Sequence, residues 1–366
     1  MGSEREEAIE ERGGEASVVG AGDDEWGELL ADAQVGDVYF SPGYHRVFEE
    51  QSGHRAELFA YREGSRFIAF PYLRRDLGEL EELGLGRGGL FDITSAYGYG
   101  GPFWSAEEPD RGMWFRFHEA LGEHCRRERI VSEFVRFDPM VENHFGYEDA
   151  EEANTTVYVD PTGTGKAMRR GFSPANRRNI RKAERSGIEF AELSWEESGG
   201  EFHRLYAETM ERVGASDFYF FPLEFFGNHF RYLGEGAHLF GAMVRGKMVA
   251  GALCMSYGSL FHYHFGCSSA EHLNLRPNNL LFRGMIRWAR GRGYRKVHLG
   301  GGYEEGDSLF RFKASFSPHR SKFFVCKRVH MEDEYGRLTR LNDERIAREG
   351  RTLSARERDF FPAYRR

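Results

Sequence analysis

The feature that most constrains the fold is an order of secondary-structure elements that occurs twice along the chain. The first half contains a helix over 42–51, a hairpin of the strands 56–61 and 67–73, a helix near 111–127 and a strand around 130–137. The second half contains a helix over 196–212, a hairpin of the strands 238–244 and 248–256, a strand at 260–265, an amphipathic helix and a strand at 296–299. Both hairpin turns carry a glycine. The pattern predicts two α/β units.

Charge is unevenly distributed along the chain. The first 25 residues carry nine acidic and two basic side chains, so most of the net charge of −8 lies there and the rest is nearly neutral. This start has too little apolar surface to fold alone, and we expect a disordered acidic tail over 1–25. Two domains over 26–160 and 161–330 and a charged C-terminal tail over 331–366 complete the predicted organisation.

Neither a membrane segment nor a disulfide framework is indicated. The chain has no run of about 18 apolar residues, and its acidic start is unlike a signal peptide, so we expect a cytoplasmic protein. The four cysteines are scattered without a CxxC motif, and we expect reduced, buried thiols.

A short basic helix over 173–187 has both of its ends marked in the sequence. Ser173 can cap it, Pro174 suits its first position and Gly187 can end it. Arg177 and Arg181 fall on one face at four-residue spacing. Two interpretations are open, a solvated surface helix or an anion site, and we expect Arg177 and Arg181 to bind a phosphate-bearing substrate.

The repeated element order is that of the GNAT acyltransferase fold, a mixed sheet with helices on both faces. Specific segments also resemble the Fem-type (FemAB-like) aminoacyltransferases, which add amino acids to peptidoglycan precursors. These segments are SAYGYGGP, RRNIRKAERSGI, HYHFGCSSAEHLNLRPNNLL and HLGGGYEEGDSLFRFKASF. The resemblance spans roughly residues 40 to 330. It implies two tandem GNAT-like domains, a substrate cleft, and amide formation between an amino acid carried on tRNA and an amine.

The glycine-rich segment of the first half is a candidate cleft wall. Its flexible backbone, including Gly100, can approach a ligand closely, and the rings of Tyr97 and Tyr99 can stack or donate hydrogen bonds. The alternative is a tight turn whose tyrosines fill the seam between the domains. We assign Tyr97, Tyr99 and Gly100 to substrate binding.

A second candidate lies at the start of the amphipathic helix of the second half. Arg276 precedes Pro277, where free backbone N–H groups and the helix dipole attract anions, and Asn278 follows. Bulky residues replace the glycine-rich loop that wraps CoA in ordinary GNAT enzymes, which argues against acetyl-CoA. The alternative is a plain helix start capped by asparagine, and we assign Arg276 and Asn278 to substrate binding.

Two histidines alternate along the strand at 260–265. His262 and His264 are predicted to point to one face, and Phe261, Tyr263 and Phe265 to the other. Zinc needs three or four ligands, and His298 is the only further candidate, so we expect no metal. The remaining interpretations are a packed, hydrogen-bonded histidine, a proton shuttle, and a hydrogen bond to substrate, and we assign His264 to the substrate.

The last candidate follows the glycines 300–302 at a strand end, where ligands bind in open α/β sheets. Leu309, Phe312 and Phe316 share a face and are predicted to be core, with Phe312 also lining the substrate site. The resemblance places Lys313 at the substrate channel, where an ammonium can hold a phosphate or the oxyanion of acyl transfer. The alternative is an ordinary surface lysine.

These observations favour an enzyme that forms an amide by acyl transfer from aminoacyl-tRNA to an amine of a UDP-linked or lipid-linked cell-wall precursor. No cofactor is expected, with aminoacyl-tRNA as the co-substrate. Because the ester-linked donor is already activated, no side-chain nucleophile is required. No residue is assigned as general base. Two alternatives stay open, an acyl-CoA-dependent N-acyltransferase acting on an amino sugar or small amine, and a non-catalytic module that binds a nucleotide-sugar.

Overall fold

The computed structural model describes residues 14–304 and 306–366, apart from the side chains of Ala167 and Arg169. The strands in this part of the chain are β1 (Glu15–Gly20), β2 (Arg55–Glu63), β3 (Arg66–Asp76), β4 (Phe91–Thr94), β5 (Phe103–Trp104), β6 (Ile130–Arg136), β7 (Glu151–Val159), β8 (Glu189–Leu193), β9 (Ala237–Val244), β10 (Lys247–Tyr257), β11 (Leu260–Ser268), β12 (Lys296–Gly300) and β13 (Arg320–Val329). The α-helices are α1 (Asp24–Ala31), α2 (Pro42–Ser52), α3 (Arg111–Arg127), α4 (Gly165–Gly171), α5 (Pro174–Arg185), α6 (Trp195–Val213), α7 (Leu223–Leu233), α8 (Pro277–Gly291), α9 (Ser308–Ala314), α10 (Glu332–Arg348) and α11 (Ala355–Arg358).

All of these strands belong to one mixed sheet. Its order is β1-β2-β3-β4-β6-β13-β7-β12-β11-β10-β9-β8, with β5 paired to β3 outside this path. Each half has the same plan: an antiparallel set leads to a parallel pair, which is β4 with β6 in the first half and β11 with β12 in the second. The two predicted α/β units are therefore present, joined edge to edge.

The two central strands are exchanged between the halves. β7 follows the first half along the chain but pairs with β12 of the second, whereas β13 follows the second half but pairs with β6 of the first. β7 and β13 also pair with each other. The predicted boundary at 160/161 is therefore wrong for these strands. β7 comes before this boundary but completes the second half, and β13 comes after it but completes the first half.

The helices cover both faces of the sheet. Along β2, Leu58 faces a core cluster that also contains residues of α2, α6 and α7, while Phe59 faces a cluster with residues of α3. Along β10, Leu253 faces the first of these clusters and Cys254 faces a third one beneath α8. The cluster shared by α2, α6 and α7 contains buried residues of both halves, so it holds the halves together.

Helix α5 is built as its sequence predicts. The Ser173 side chain accepts a hydrogen bond from the N–H of Asn176, Pro174 is the first helical residue, and Gly187 follows with φ +75°. Ile180 and Ala183 are buried, which leaves the arginines on the outward faces.

Both predicted tails need correction. Within 1–25, residues 1–13 lie outside the described part, but Glu15–Gly20 is an edge strand paired with β2, and α1 begins at Asp24. The segment 331–366 contains α10, whose Leu338 is buried, and ends in a packed turn with Tyr364 only 1% exposed. The charge content of these segments is therefore a poor indicator of disorder, because apolar residues between the charged ones are buried in the core.

All four cysteines are buried and free. In the described ranges, no helix is both long enough and apolar enough to cross a membrane.

Candidate active site

The candidate site begins where the two parallel strands of the second half separate. β11 and β12 pair from Leu260–Lys296 to His262–His298, and beyond that pair their ladder ends although both strands continue. In open α/β sheets, ligands bind beyond the carboxyl ends of such strands. The residues after His262 and His298, together with α9, therefore surround the opening.

Lys313 is the buried residue of α9. Its side chain is 7% exposed, although its neighbours Phe312 and Ala314 are only half-buried. Its ammonium donates a hydrogen bond to the carbonyl oxygen of Gly301 (2.7 Å) and lies 5.6 Å from the ring centre of Tyr263. Burial lowers the pKa of Lys313 to about 8, opposed by the charge of Asp307. An ordinary surface lysine is therefore excluded.

The glycine that ends β12 makes room for this ammonium. Gly300 has φ +76°, which L side chains rarely adopt, and a Cβ atom there would lie 3.1 Å from the Lys313 Nζ atom. Asp307 caps α9 by accepting a hydrogen bond from the N–H of Phe310 (2.7 Å). Strand end, glycine turn and capped helix together place the charge at the opening.

A buried chain of polar groups joins the first half to this strand pair. His262 Nε2 lies 2.9 Å from Asp37 Oδ2, and both side chains are fully buried. His262 Nδ1 lies 3.3 Å from His298 Nδ1. Among the described residues, His298 Nε2 is buried without a hydrogen-bond partner. Burial lowers the pKa of His298 well below its usual value, and the charges of His262 and Lys313 act in the same direction.

One assignment of neutral tautomers makes both contacts hydrogen bonds. In it, His262 donates from Nε2 to Asp37 and accepts at Nδ1 from the Nδ1–H of His298. His298 Nε2 is then left as a buried hydrogen-bond acceptor. Beside Asp37, burial and the Asp37 charge raise the pKa of Asp138 well above its usual value. Sequence reasoning missed Asp37, because nothing in its local pattern relates it to histidines more than 220 residues away.

The predicted aromatic and histidine residues meet in the seam between the halves. Tyr99, 9% exposed, contacts the ring of His298 at 5.3 Å between centres, and Tyr97 stacks on Phe265 at 5.8 Å. His264 Nε2 lies 3.4 Å from the hydroxyl of Tyr44. The carbonyl oxygen of Gly100 accepts a hydrogen bond from Asn143. Tyr99 thus lies beside His298, whose pKa the Lys313 charge also lowers, whereas Tyr97 and His264 lie in the neighbouring aromatic core.

One strand-face prediction is wrong. His262 and His264 do share a face, since both rings contact Tyr39. Phe265 lies on this same face rather than with Tyr263, because the register between β10 and β11 shifts at Leu253/Cys254 and leaves His264 as an extra residue. A β-bulge of this kind breaks the alternation on which the prediction rests.

The other predicted residues lie on the helices around the opening. Arg276 is exposed, with φ +66°, and it rather than an asparagine occupies the cap position of α8, without a side-chain capping hydrogen bond. Asn278 is half-buried in the first turn. Phe312 packs against Phe282 (5.0 Å between ring centres) and is half-buried, so it is less of a core residue than predicted.

The two predicted arginines of α5 have different surroundings. Arg177 is half-buried, donates to the carbonyl oxygen of Phe172 (2.7 Å) and lines a cavity with three arginines of α8. Arg181 is exposed and does not line that cavity. The α8 residues Arg283, Arg287 and Arg290 were not predicted, although their spacing of four and three residues is the signal for one helix face. In the described residues, no group of three or more potential ligands can hold a metal ion.

Comparisons with known proteins agree with this architecture. Residues 174–314 match the model of the acetyltransferase (GNAT) domain. The chain is similar to the crystal structure of FemX, with a TM-score of 0.65 and 15% identity over 85% of this chain and 96% of that one. It is also similar to the C-terminal domain of a putative lysylphosphatidylglycerol synthetase from Agrobacterium fabrum (TM-score 0.51, 15% identity, 82% and 91% covered).

A third similar structure is a protein of unknown function from Bacteroides thetaiotaomicron (TM-score 0.51, 11% identity, 78% and 89% covered). Curated proteins gave no sequence match. At such identities a structural likeness is a likeness of fold. The predicted tandem GNAT fold, and the resemblance to Fem-type proteins at the level of fold, are confirmed. Residues 174–314 thus match the acetyltransferase (GNAT) domain, and the chain is an acyltransferase enzyme whose fold is similar to that of FemX.

Proposed function

We propose that this protein forms an amide by transferring an amino acid from aminoacyl-tRNA to an amine of a cell-wall precursor. The observation that carries the proposal is the buried ammonium of Lys313 at the opening between β11 and β12. A buried charge costs folding free energy, so its retention at a ligand-binding edge favours a catalytic task. The likeness of fold to FemX supports the choice of donor and acceptor.

The chemistry asks little of the protein beyond alignment and charge stabilisation. The acceptor amine attacks the ester carbonyl, the C–N bond forms, and the carbonyl oxygen becomes an oxyanion. The C–O bond to the tRNA ribose then breaks, and the proton lost by the amine ends on that ribose hydroxyl. The Lys313 ammonium can donate to the oxyanion in a site shielded from water, where such a contact is strongest.

The proposed acceptor is a UDP-linked or lipid-linked precursor that carries a free amine. Because aminoacyl-tRNA is made in the cytoplasm, we propose that the reaction takes place there. An acyl-CoA donor is the competing possibility for the same fold, and the experiment below separates the two.

The test is a donor-exchange assay with the full-length protein. A mixture of radiolabelled aminoacyl-tRNAs is incubated with UDP-linked and lipid-linked muropeptide precursors, and amidated products are identified by mass spectrometry. We expect a labelled amide that disappears when the tRNA is digested with ribonuclease first. Acetyl-CoA and longer acyl-CoA thioesters serve as the alternative donors.

Lys313→Met is the matched control, since it keeps the aliphatic stem and removes the charge. Product formation that survives ribonuclease and requires acyl-CoA would contradict the proposed donor. Binding of the precursors without turnover of any donor would contradict the proposal as a whole.

A further inference from the structure

A strongly basic cavity lies on the second half, separate from the opening at Lys313. Its volume is about 670 Å³, and six of its eight lining residues are cationic, with no acidic residue among them. The lining residues are Gly165, Lys166, Met168, Arg170, Arg177, Arg283, Arg287 and Arg290. They come from three helices, α4, α5 and α8, so the charges are gathered by the fold and not by a run of sequence.

Several of these side chains are held in place by contacts at the edge of the cavity. Arg177 donates to the carbonyl oxygen of Phe172 (2.7 Å), and Arg290 donates to that of Gly163 (3.0 Å). Arg283 forms an ion pair with Glu184 (2.7 Å), a carboxylate that does not line the cavity. These contacts orient the guanidinium groups before any ligand arrives, which lowers the entropy cost of binding.

The concentration of positive charge calls for an anion. Six like charges around one concave space repel each other, and low-dielectric walls focus their field into it. Guanidinium groups match phosphate oxygens with paired hydrogen bonds, so arginine is the residue expected at a phosphate site. The size and the number of cations fit several consecutive phosphates better than a single one.

The cavity is tied directly to the helix that carries Lys313. The N–H of Ser173 and the side-chain amide of Asn176 both donate to the carbonyl oxygen of Ser315, two residues after Lys313 (2.8 and 3.1 Å). Asn176 also accepts from Asn279 of α8 (2.9 Å). Arg177 follows Asn176, and Arg283 lies one helical turn after Asn279. The helices α5 and α8, which line the cavity, are therefore joined by hydrogen bonds to each other and to the end of the helix that carries Lys313.

We propose that this cavity binds consecutive phosphates of the acyl donor and thereby places its acyl end toward Lys313. The identity of the donor rests on the proposed function, whereas the phosphate site itself does not. Two donors share this chemistry, the 3′ strand of an RNA and the phosphates of CoA. The cavity is lined by the middle and end of α8, so it is distinct from the site predicted at Arg276 and Asn278.

The test measures binding without turnover. A fluorescent single-stranded RNA ending in CCA is titrated into the wild type and into the double variant Arg287→Gln/Arg290→Gln, both positions being exposed on α8. We expect at least tenfold weaker binding, and a salt slope of log K smaller by about 1.4, since each phosphate contact on a single strand contributes about 0.7. The control Arg340→Gln/Arg348→Gln removes the same charge from the exposed face of α10 and is expected to bind as the wild type.

Two further arms identify the ligand. CoA and inorganic triphosphate are used as competitors, and whichever of RNA or CoA loses affinity in the double variant is the source of the phosphates. A second pair, Lys166→Gln/Arg170→Gln on α4, is compared with the first if the α8 variant has a lower melting temperature. Vesicles of phosphatidylglycerol and phosphatidylcholine test for an anionic membrane surface.

The proposal is overturned if RNA, CoA and triphosphate all bind both cavity variants as tightly as the wild type, or if only vesicle binding is lost. Its failure is distinguishable from that of the proposed function. Phosphate binding through the cavity with no amide product would refute the proposed function and leave the phosphate site standing. Amide formation by cavity variants that bind the donor as tightly as the wild type would refute the phosphate site and leave the proposed function standing.

Discussion

Lys313 is held in its charged form against the preference of its surroundings. Burial lowers the pKa of its ammonium to about 8 from an ordinary value of 10.5, so at neutral pH the charge costs about 3 kcal/mol of folding free energy. Lys313→Met is expected to keep or raise the melting temperature and to lower turnover about 100-fold, the usual loss for one oxyanion contact. Thermal melts and single-turnover rates measure the two effects. Unchanged turnover would remove Lys313 from the site.

The same pKa predicts a pH dependence with opposite signs for activity and stability. If the ammonium is the active form, turnover falls as the pH rises through about 8. Stability rises between about 8 and 10.5, because over this range the unfolded chain binds the proton that the folded chain has released. Lys313→Arg keeps its charge and is expected to lose the alkaline fall in turnover. A wild-type rate that is flat from pH 7 to 10 would contradict this role.

At the residue scale, the sequence names candidate side chains but does not predict where they point. The resemblance identifies Lys313, but its burial follows from Gly300 and Tyr263, which meet it only in three dimensions. The faces of His262 and His264 follow from strand alternation, whereas the bulge that turns Phe265 depends on pairing with β10. Asp37 and His298 become neighbours of His262 through contacts over long sequence separations, which local patterns do not encode.

Among the elements, the strands that sequence reasoning missed are those whose partners lie far away. The predicted helices and hairpin strands match α2, α3, α5, α6, β2, β3, β9 and β10 closely, because each shows its own periodicity. β7 and β13 are rich in charged and polar residues and gain their stability as the central exchanged strands of the sheet. Their pattern alone gives no reason to expect them there.

In the C-terminal segment, two successive residues, Tyr364 and Arg365, bind one buried carboxylate. Asp92, fully buried, accepts from Arg75 (2.6 Å), from Arg365 (2.7 Å) and from the hydroxyl of Tyr364 (3.1 Å). Asp92→Ala removes the carboxylate partner of Arg75 and one of the two carboxylate partners of Arg365, which keeps Glu79 (2.7 Å). We expect a loss of about 3–5 kcal/mol in the free energy of unfolding. Urea denaturation measures this loss.

Asp92 also predicts an acid sensitivity. Burial raises the pKa of its carboxyl, but the charges of Arg75 and Arg365 outweigh burial, so the net pKa is lowered. Its contribution to stability is therefore complete above the unfolded pKa of about 3.9 and is lost as the pH falls through the folded value. Asp343→Ala, which removes an exposed partner of Arg366, is the control, with an expected loss below about 1 kcal/mol. Equal losses for the two variants would show that the Asp92 cluster does not anchor the segment.

For the whole molecule, the exchange of β7 and β13 makes the two halves depend on each other. The seam between them also contains a shared apolar core and the fully buried contact between Asp37 of the first half and His262 of the second. Residues that build the proposed site therefore come from both halves, Tyr99 from one and Lys313 from the other. The site is expected to exist only when the halves are joined.

Cutting the chain in the loop between β7 and α4 tests this dependence. The fragment 14–162 retains β7 but loses both of its partners, and the fragment 163–366 retains β13 but loses both of its own. Each fragment alone exposes unpaired strand edges at β6 or β12 and half of the shared core, so neither is expected to melt cooperatively as a monomer.

When the two fragments are refolded together, they are expected to form a one-to-one complex, because all native strand pairs are then available again. Size-exclusion chromatography with light scattering measures the complex, and calorimetry measures its melting. The complex is expected to melt in a single transition at a lower temperature that rises with protein concentration, since association now costs entropy. A fragment that folds cooperatively alone would show that the exchanged strand it lacks is not needed for that half to fold. If the fragment 163–366 did so, the segment 174–314, which matches the GNAT domain, would fold without the first half.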